Sequence, residues 1–236
     1  MVDLTGRTAL VTGASRGIGA AVAKAYARAG AHVILLARTV GGLEETDDAI
    51  RAAGGKATIM PADLADLDKL DALGPTLLQH IGGLDIFVGN AGYLATLGPL
   101  AHASVKEWDI SLTVNLSANF RLIRTLDPLL RRSSAGRAIF VSTGEGPTGG
   151  RAYWGVYGVS KAGLEALAGT YADETRQTDM RVNIVDPGGV RTAMRARAKP
   201  GEDPQTLPAP DDIVGTFLDL AAPDCTRHGE IVRINR

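Results

Sequence analysis

Thr8-Ala9-Leu10-Val11-Thr12 is a short apolar run, β-branched in part, that breaks into Gly13-Ala14-Ser15-Arg16-Gly17-Ile18-Gly19 and then into an alanine-rich helical stretch over residues 20–27. Strand, glycine turn and helix in that order constrain the fold more than any other part of the chain. Glycine lets a backbone come close to a pyrophosphate, and the helix behind it offers unpaired N–H groups and a positive dipole end. The spacing is GxxxGxG rather than GxGxxG. The plain alternative is a tight turn with no ligand.

The strand-then-helix pattern recurs. Apolar runs at 32–37, 56–62, 84–88, 137–141, 181–185 and 229–234 alternate with helical stretches at 41–53, 66–80, about 105–131, from 155 onward and 211–221. Such continuous apolar runs fit a parallel sheet covered on both faces. The alternation predicts an α/β fold: a doubly wound, Rossmann-like parallel sheet of about seven strands with helices on both faces, in one domain over 1–236. Residues 193–210 are polar and proline-bearing without clear periodicity, which reads as a mobile lid over a site. Ser104 and Glu107 form a capping-box signature for the helix that follows.

Composition excludes several classes. Hydrophobic residues make up 45% and charged residues 22%, and the net charge is -1, so there is no electrostatic footprint for nucleic acid or an anionic membrane. Cys225 is the one cysteine, so no intrachain disulfide can form. The start lacks a basic segment and a long apolar run, and no stretch reaches the ~18 apolar residues of a membrane span. A reduced, cytoplasmic protein is the expectation. No metal-ligand set is assigned.

The chemistry-bearing residues fall at strand ends. Arg38 follows the second strand, where an acid would hold the ribose 2′-hydroxyl of NAD and an arginine accommodates the 2′-phosphate of NADP. Arg16 in the glycine turn is a second cation within reach, so NADP(H) is preferred and NAD(H) remains possible. Asp63-Leu64 ends the third strand; Asp63 either meets the adenine or caps the next helix. Gly89-Asn90-Ala91-Gly92 ends the fourth strand with the small residues a cofactor pressed on the sheet requires. Asn115 lies mid-helix, a poor place for asparagine, which competes for backbone hydrogen bonds. Ser142-Thr143-Gly144 ends the fifth strand, and Pro187-Gly188-Gly189-Val190-Arg191-Thr192 follows the sixth. Tyr157 and Lys161 are i and i+4 on a helix, so both polar heads can reach one place. A phenol titrates near ~10 in water, and the neighbouring ammonium is expected to pull it down towards working pH. Such a tyrosine can give a proton to a carbonyl oxygen or take one from an alcohol. Tyr93, Leu94, Tyr153 and Trp154 suggest an apolar wall for the pocket.

Together these pieces resemble the short-chain dehydrogenase/reductase family in its single-domain form, over nearly the whole chain. Thr12-Gly13-Ala14-Ser15-Arg16-Gly17-Ile18-Gly19 resembles its TGxxxGxG cofactor turn, and Gly89-Asn90-Ala91-Gly92 its NNAG segment with glycine for the first asparagine. Tyr157 and Lys161 match its YxxxK, and Pro187-Gly188 with Val190 and Thr192 match the segment along the nicotinamide. Binding would thus involve Gly13, Ser15, Arg16, Gly17, Ile18, Gly19, Asn90, Ala91, Gly92 and that last segment. The resemblance implies Tyr157 as acid/base, Lys161 as the group that lowers its pKa and holds the nicotinamide ribose, and Asn115 binding a water through its helix backbone in a proton relay. A hydroxyl would polarise the substrate oxygen. The family's serine falls here at Gly144, so Thr143 or Ser142 must serve, Thr143 being favoured from the strand start and Ser142 from side-chain chemistry. The expected partner is a small carbonyl or alcohol.

The family also implies a homo-oligomer, dimer or tetramer. Its members often carry a glycine-rich tail after the last strand, whereas this chain stops at Asn235-Arg236, which sets the tail-mediated tetramer contact in doubt while leaving the helices around Asn115 and Tyr157 able to pair. The competing class is a non-catalytic dinucleotide-binding subunit, which need not retain Tyr157, Lys161 and Asn115. A sugar-nucleotide epimerase or dehydratase would need a larger substrate domain.

Overall fold

Seven apolar runs become the strands of one parallel sheet: β1 (Thr8–Thr12), β2 (His32–Ala37), β3 (Lys56–Pro61), β4 (Ile86–Gly89), β5 (Arg137–Val141), β6 (Arg181–Asp186) and β7 (Ile231–Arg233). The computed structural model describes residues 2–144 and 150–234; positions 145–149, part of the glycine-rich loop 145–154 that the sequence leads one to expect at the pocket, and Asn235-Arg236, lie outside them. The strand order is β3-β2-β1-β4-β5-β6-β7 and each pair is parallel. The order reverses between β1 and β4, so the carboxyl ends of those strands open a crevice where ligands of such sheets bind.

Alternate strand residues feed two cores. Val11, Val33, Leu35 and Val88 pack with α1 (Gly17–Arg28), α2 (Val40–Ala52) and α9 (Val214–Ala221). Leu10, Ile34, Leu36 and Phe87 pack on the other face with α3 (Leu67–Asp71), α4 (Leu73–Ile81), α6 (Ala118–Leu130) and α7 (Gly155–Thr175). Each fully buried side chain of this size stabilises by about 1.5–3 kcal/mol. Both faces are thus apolar, which is why the strands read as unbroken hydrophobic runs.

Three expectations need correction. The stretch 66–80 is two helices: Thr125 enters the break, its hydroxyl donating to the Asp71 carbonyl and accepting from the Gly74 N–H. The long helix 105–131 is α5 (Val105–Leu112), a π-helical turn (Thr113–Ser117) and α6. The capping box does not form. The Ser104 side chain makes no cap bond, because Glu107 Oε1 instead accepts from the Thr96 N–H, the Thr96 hydroxyl and the Tyr93 hydroxyl.

At the amino ends of the strands two arginines are buried. Arg7 donates to the carbonyls of Ala221 and Ala135, and Arg137 to those of Ala222, Asp179 and Pro223. They close the last turn of α9, whose carbonyls have no helical partners and attract positive charge.

Candidate active site

The glycine turn is built to stay open and close to the sheet. Gly13 and Gly17 have φ of 68° and 57°, a region glycine enters without steric cost. A Cβ at Gly19 would come within 2.5 Å of Asn90 Nδ2 and closer still to the Gly13 carbonyl. Thr12 explains the rest: its hydroxyl accepts from the N–H groups of Asn90 and Ala91 and donates to the Val88 carbonyl, while Asn90 Nδ2 donates to the Thr12 carbonyl at 2.9 Å. The turn is braced from behind by Thr46, which donates to the Ala14 carbonyl, and by Gly42, packed on Ser15. Arg16 precedes α1 in extended conformation and no side chain caps that helix, so its first N–H groups face the crevice. This cradle fits a dinucleotide pyrophosphate. Ile18 packs on the core beside it.

The adenosine side follows. Arg38 leaves the end of β2 with its side chain 66% exposed, and Asp63 Oδ2 lies 3.8 Å from its Nη1. Asp63 does not cap the next helix, which starts after Asp66; its other oxygen accepts from the Ala65 N–H in a local turn. Leu64 is buried. On the opposite side, Gly188 turns with φ 65°, helped by Asp186 Oδ1 accepting its N–H. The chain then passes buried Val190 to Thr192, which lies over Gly17 and caps α8 (Ala193–Ala198) by accepting the Arg195 N–H. The expected lid is therefore partly helical. Arg195 also forms a forked ion pair with Glu202 at 2.5 and 2.6 Å.

Tyr157 and Lys161 come together at the carboxyl ends of β5 and β6. Both are buried, at 8% and 2% exposure. Lys161 Nζ lies 5.9 Å from the Tyr157 ring centre and donates to the Val141 carbonyl at 2.7 Å. Tyr157 packs with Trp154 and Leu94 and lines a cavity of about 260 Å3 with Leu97, Pro99 and Glu107. Tyr153 lines it too, yet is 63% exposed and holds a left-handed φ of 73°. Tyr93 turns its hydroxyl to Glu107 instead.

The expected direction of the tyrosine's pKa is reversed. Burial, and then the charge of Asp186, push the Tyr157 phenol up. Burial pulls the Lys161 ammonium down to about 8, against the opposing pull of Glu165. Lys161 Nζ donates to the Val141 carbonyl rather than to the phenol. The lysine's folded-state pKa is thus depressed from 10.5 to about 8. Over that window the unfolded chain binds more protons, so this group makes stability rise with pH between 8 and 10.5, and its burial penalty is full below 8. Lys161→Met should therefore lose that pH dependence, its Tm no longer rising between pH 8 and 10.5 as the parent's does. Thermal melts of both proteins across pH would show it; the same pH dependence of Tm in the two would refute it.

Asn115 sits in the π-helical turn, fully buried. Its side chain accepts from the Tyr93 N–H at 2.7 Å and donates to the Tyr93 carbonyl and Ser160 Oγ at 2.9 and 2.8 Å. Its own carbonyl accepts from Asn119 Nδ2 at 2.9 Å. Gly92 lies between Asn115 and Lys161: a Cβ there would be 3.6 Å from Asn115 Oδ1 and 3.7 Å from Lys161 Nζ. Gly89, where the family has asparagine, has no room for a side chain beside Asn119 and Phe140. At the end of β5, Ser142 is 3% exposed and its hydroxyl donates to Glu165 Oε1 at 2.6 Å. Thr143 is the next residue and only partly buried. Thr12, Thr46, Asn119, Ser160 and Glu165 were not singled out from sequence. Only Thr12 and Ser160 lay inside a motif that could have signalled them.

A parallel sheet with a glycine cradle at its switch point and a buried Tyr–Lys pair beside a cavity defines a class. Residues 7–203 match the short chain dehydrogenase family, and the chain belongs to it as an oxidoreductase. It is 39% identical over 227 residues to the Escherichia coli (strain K12) protein called uncharacterized oxidoreductase YciK, covering 95% of this chain and 89% of that one. A solved short chain dehydrogenase from Shigella flexneri 2a complexed with NADP superposes with TM-score 0.94 at 37% identity, over 99% of each chain. One from Escherichia coli CFT073 complexed with NADPH gives 0.93 at 38% identity, over 98% of this chain and 97% of that one. Among the described residues no helix is long and apolar enough to cross a membrane.

Proposed function

We propose that this chain is an NADP(H)-dependent carbonyl reductase or alcohol dehydrogenase in which Tyr157 is the general acid/base. The observation that carries this reading is the burial of Tyr157 and Lys161 side by side at the strand ends, with Tyr157 on the wall of a cavity and Lys161 next to Gly92. The nicotinamide cofactor supplies the hydride when bound. The pyrophosphate would rest on Gly13, Gly17 and the first N–H groups of α1, and the nicotinamide half along Asn90–Gly92 and Pro187–Thr192. Lys161 is placed to hold the ribose. Thr143 donates a hydrogen bond to the substrate oxygen, since the Ser142 hydroxyl is engaged by Glu165. Tyr157 then gives its proton to that oxygen as negative charge develops there. A phenol that burial keeps protonated suits the reductive direction.

Arg38 and Arg16 support the preference for NADP(H), as do the NADP and NADPH complexes of the two solved relatives. Residues 193–210 form the lid, built from α8 and a 3-10 turn at Pro204–Thr206. Phe120 on α6 and Val159 on α7 are exposed, at 46% and 45%, and pairing of these helices in a homodimer would cover them. A panel of ketones, aldehydes and secondary alcohols run with both cofactors tests the activity. Titration of protein fluorescence should show tighter binding of NADPH than of NADH. Arg38→Ala should cut that preference by roughly tenfold, the scale of one exposed charge-assisted contact of about 1.5 kcal/mol. An unchanged preference would remove Arg38 from the argument.

A further inference from the structure

Glu107 stands in the first turn of α5 and lines the same cavity of about 260 Å3 as Tyr157. That size is near the lower end of small-molecule sites, which begin at ~300 Å3. Leu97, Pro99, Trp154 and Val156 make much of the wall apolar. Among the described residues Glu107 is the one carboxylate on that wall, and no lysine or arginine joins it. Its two oxygens are used unequally. Oε1 accepts from the Thr96 N–H, the Thr96 hydroxyl and the Tyr93 hydroxyl at 3.1, 2.9 and 3.2 Å. No hydrogen bond or ion pair among the described residues engages Oε2. A carboxylate has room for about four donors, and the fold places three of them on one oxygen. The bonds from Thr96 also hold the carboxyl below its usual range, so it is ionised at working pH.

We propose that Glu107 is a specificity-determining residue: its Oε2 accepts a hydrogen bond from a substrate hydroxyl while Tyr157 acts on the carbonyl, so that the preferred substrates are small hydroxycarbonyl compounds and the matching diols. The inference rests on the acid/base role of Tyr157 and extends it to the far end of the substrate. A neutral donor fits better than an ammonium. Arg197 of α8 donates to the Leu94 carbonyl at 3.1 Å, and its charge reaches both Glu107 and Tyr93. It already answers part of the carboxylate's charge, so an ammonium gains less than it would beside an unscreened one, while a hydroxyl keeps the short-range bond. A carboxylate-bearing substrate would meet like charge in a largely apolar cavity. An aliphatic one would strip water from Oε2 and return no bond.

The test uses the intact protein with NADPH and aliphatic ketones in which one hydroxyl is moved a carbon at a time away from the carbonyl. Each is paired with the analogue carrying methyl in its place. At one spacing the hydroxyl compound should give a kcat/KM roughly tenfold or more above its methyl partner, the scale of one charge-assisted hydrogen bond. Ammonium and carboxylate analogues at that spacing should fall below it. In Glu107→Gln the three donors around Oε1 orient the amide with its oxygen there, so an NH2 takes the place of Oε2. The hydroxyl-to-methyl ratio should then fall several-fold, and the carboxylate compound should be rejected less. The ratio within one preparation is the readout, which a general loss of rate from a shifted loop leaves unmoved. A hydroxyl advantage at no spacing, or one that Glu107→Gln keeps in full, would overturn the proposal. So would an ammonium compound reduced faster than the hydroxyl one. A faster carboxylate compound would overturn it as well, and would make Arg197, or Arg151 over the Trp154 ring, the reader instead. Tyr157→Phe, run alongside, tells the two readings apart. Methyl compounds whose reduction needs Tyr157, with no hydroxyl advantage, sink this inference alone; if Tyr157→Phe reduces them as fast as the parent, the acid/base reading falls and takes this one with it. Variants are compared at a temperature where melts show all of them folded.

Discussion

Tyr157→Phe is expected to lower kcat by about 10²–10⁴-fold, the worth of a positioned general acid, with NADPH binding unchanged. The substitution isolates one oxygen. The Tyr157 ring packs with Leu94 and Trp154, its centre 6.1 Å from the Trp154 ring. Phenylalanine keeps that packing, so melting temperature should hold. What disappears is the one buried phenol on the cavity wall beside Lys161. The raised phenol adds a directional expectation: reduction should hold well into alkaline pH and oxidation should gain as the pH is raised, because the first needs the protonated form and the second the phenolate. Steady-state reduction of the panel carbonyl, with NADPH binding followed by fluorescence, decides it. Turnover retained near the parent rate would remove Tyr157 from the chemistry, and a lost NADPH affinity would show the residue to be a binding group instead.

Gly19→Ala carries the other large expected effect, and it acts on the cradle rather than on the proton. The added methyl would lie against the Gly13 carbonyl and Asn90 Nδ2. Neither can retreat freely. Gly13 is held in its left-handed turn, and Asn90 is bonded to Thr12 through both its backbone and its side chain. Overpacking of this kind costs about 1–3 kcal/mol in stability, or several degrees of Tm. The larger loss should be in binding, because the displaced turn is the surface that meets the pyrophosphate. NADPH affinity should fall by at least tenfold, on the scale of a lost charge-assisted contact of about 1.5–3 kcal/mol. A melt and an NADPH titration on the same preparation measure both. Unchanged affinity would mean that the cofactor does not use this turn.

The sheet was largely legible in the sequence because its inner strands β1, β2, β4, β5 and β6 are buried on both faces, so their residues form largely unbroken apolar runs. Tyr157 and Lys161 were legible because helix geometry alone puts i and i+4 together. Their electrostatics were not, since the rise at Tyr157 comes from burial beneath Trp154 and from Asp186 across the sheet, neither of which spacing reveals. The same limit applies elsewhere. Ser104 and Glu107 have the local pattern of a cap, but Tyr93 and Thr96, brought in by tertiary packing, take the carboxylate. The break at Ala72 depends on Thr125, far along the chain. Helix α8 is only six residues long, too short to be stable alone; Thr192 and the Arg195–Glu202 fork hold it, and no periodicity announces it.

The carbonyl contacts of Arg7 and Arg137 make the two ends of the sheet unequal under mutation. At the amino ends, guanidinium groups buried among carbonyls leave several acceptors stranded if either is replaced. Nothing among those contacts can change cheaply. At the carboxyl ends, Leu97, Pro99 and Tyr153 shape the cavity from loops that bear little of the core. Drift in sequence should therefore collect around the cavity and spare the far end, so that a lineage of such chains could exchange substrates many times over one unaltered base.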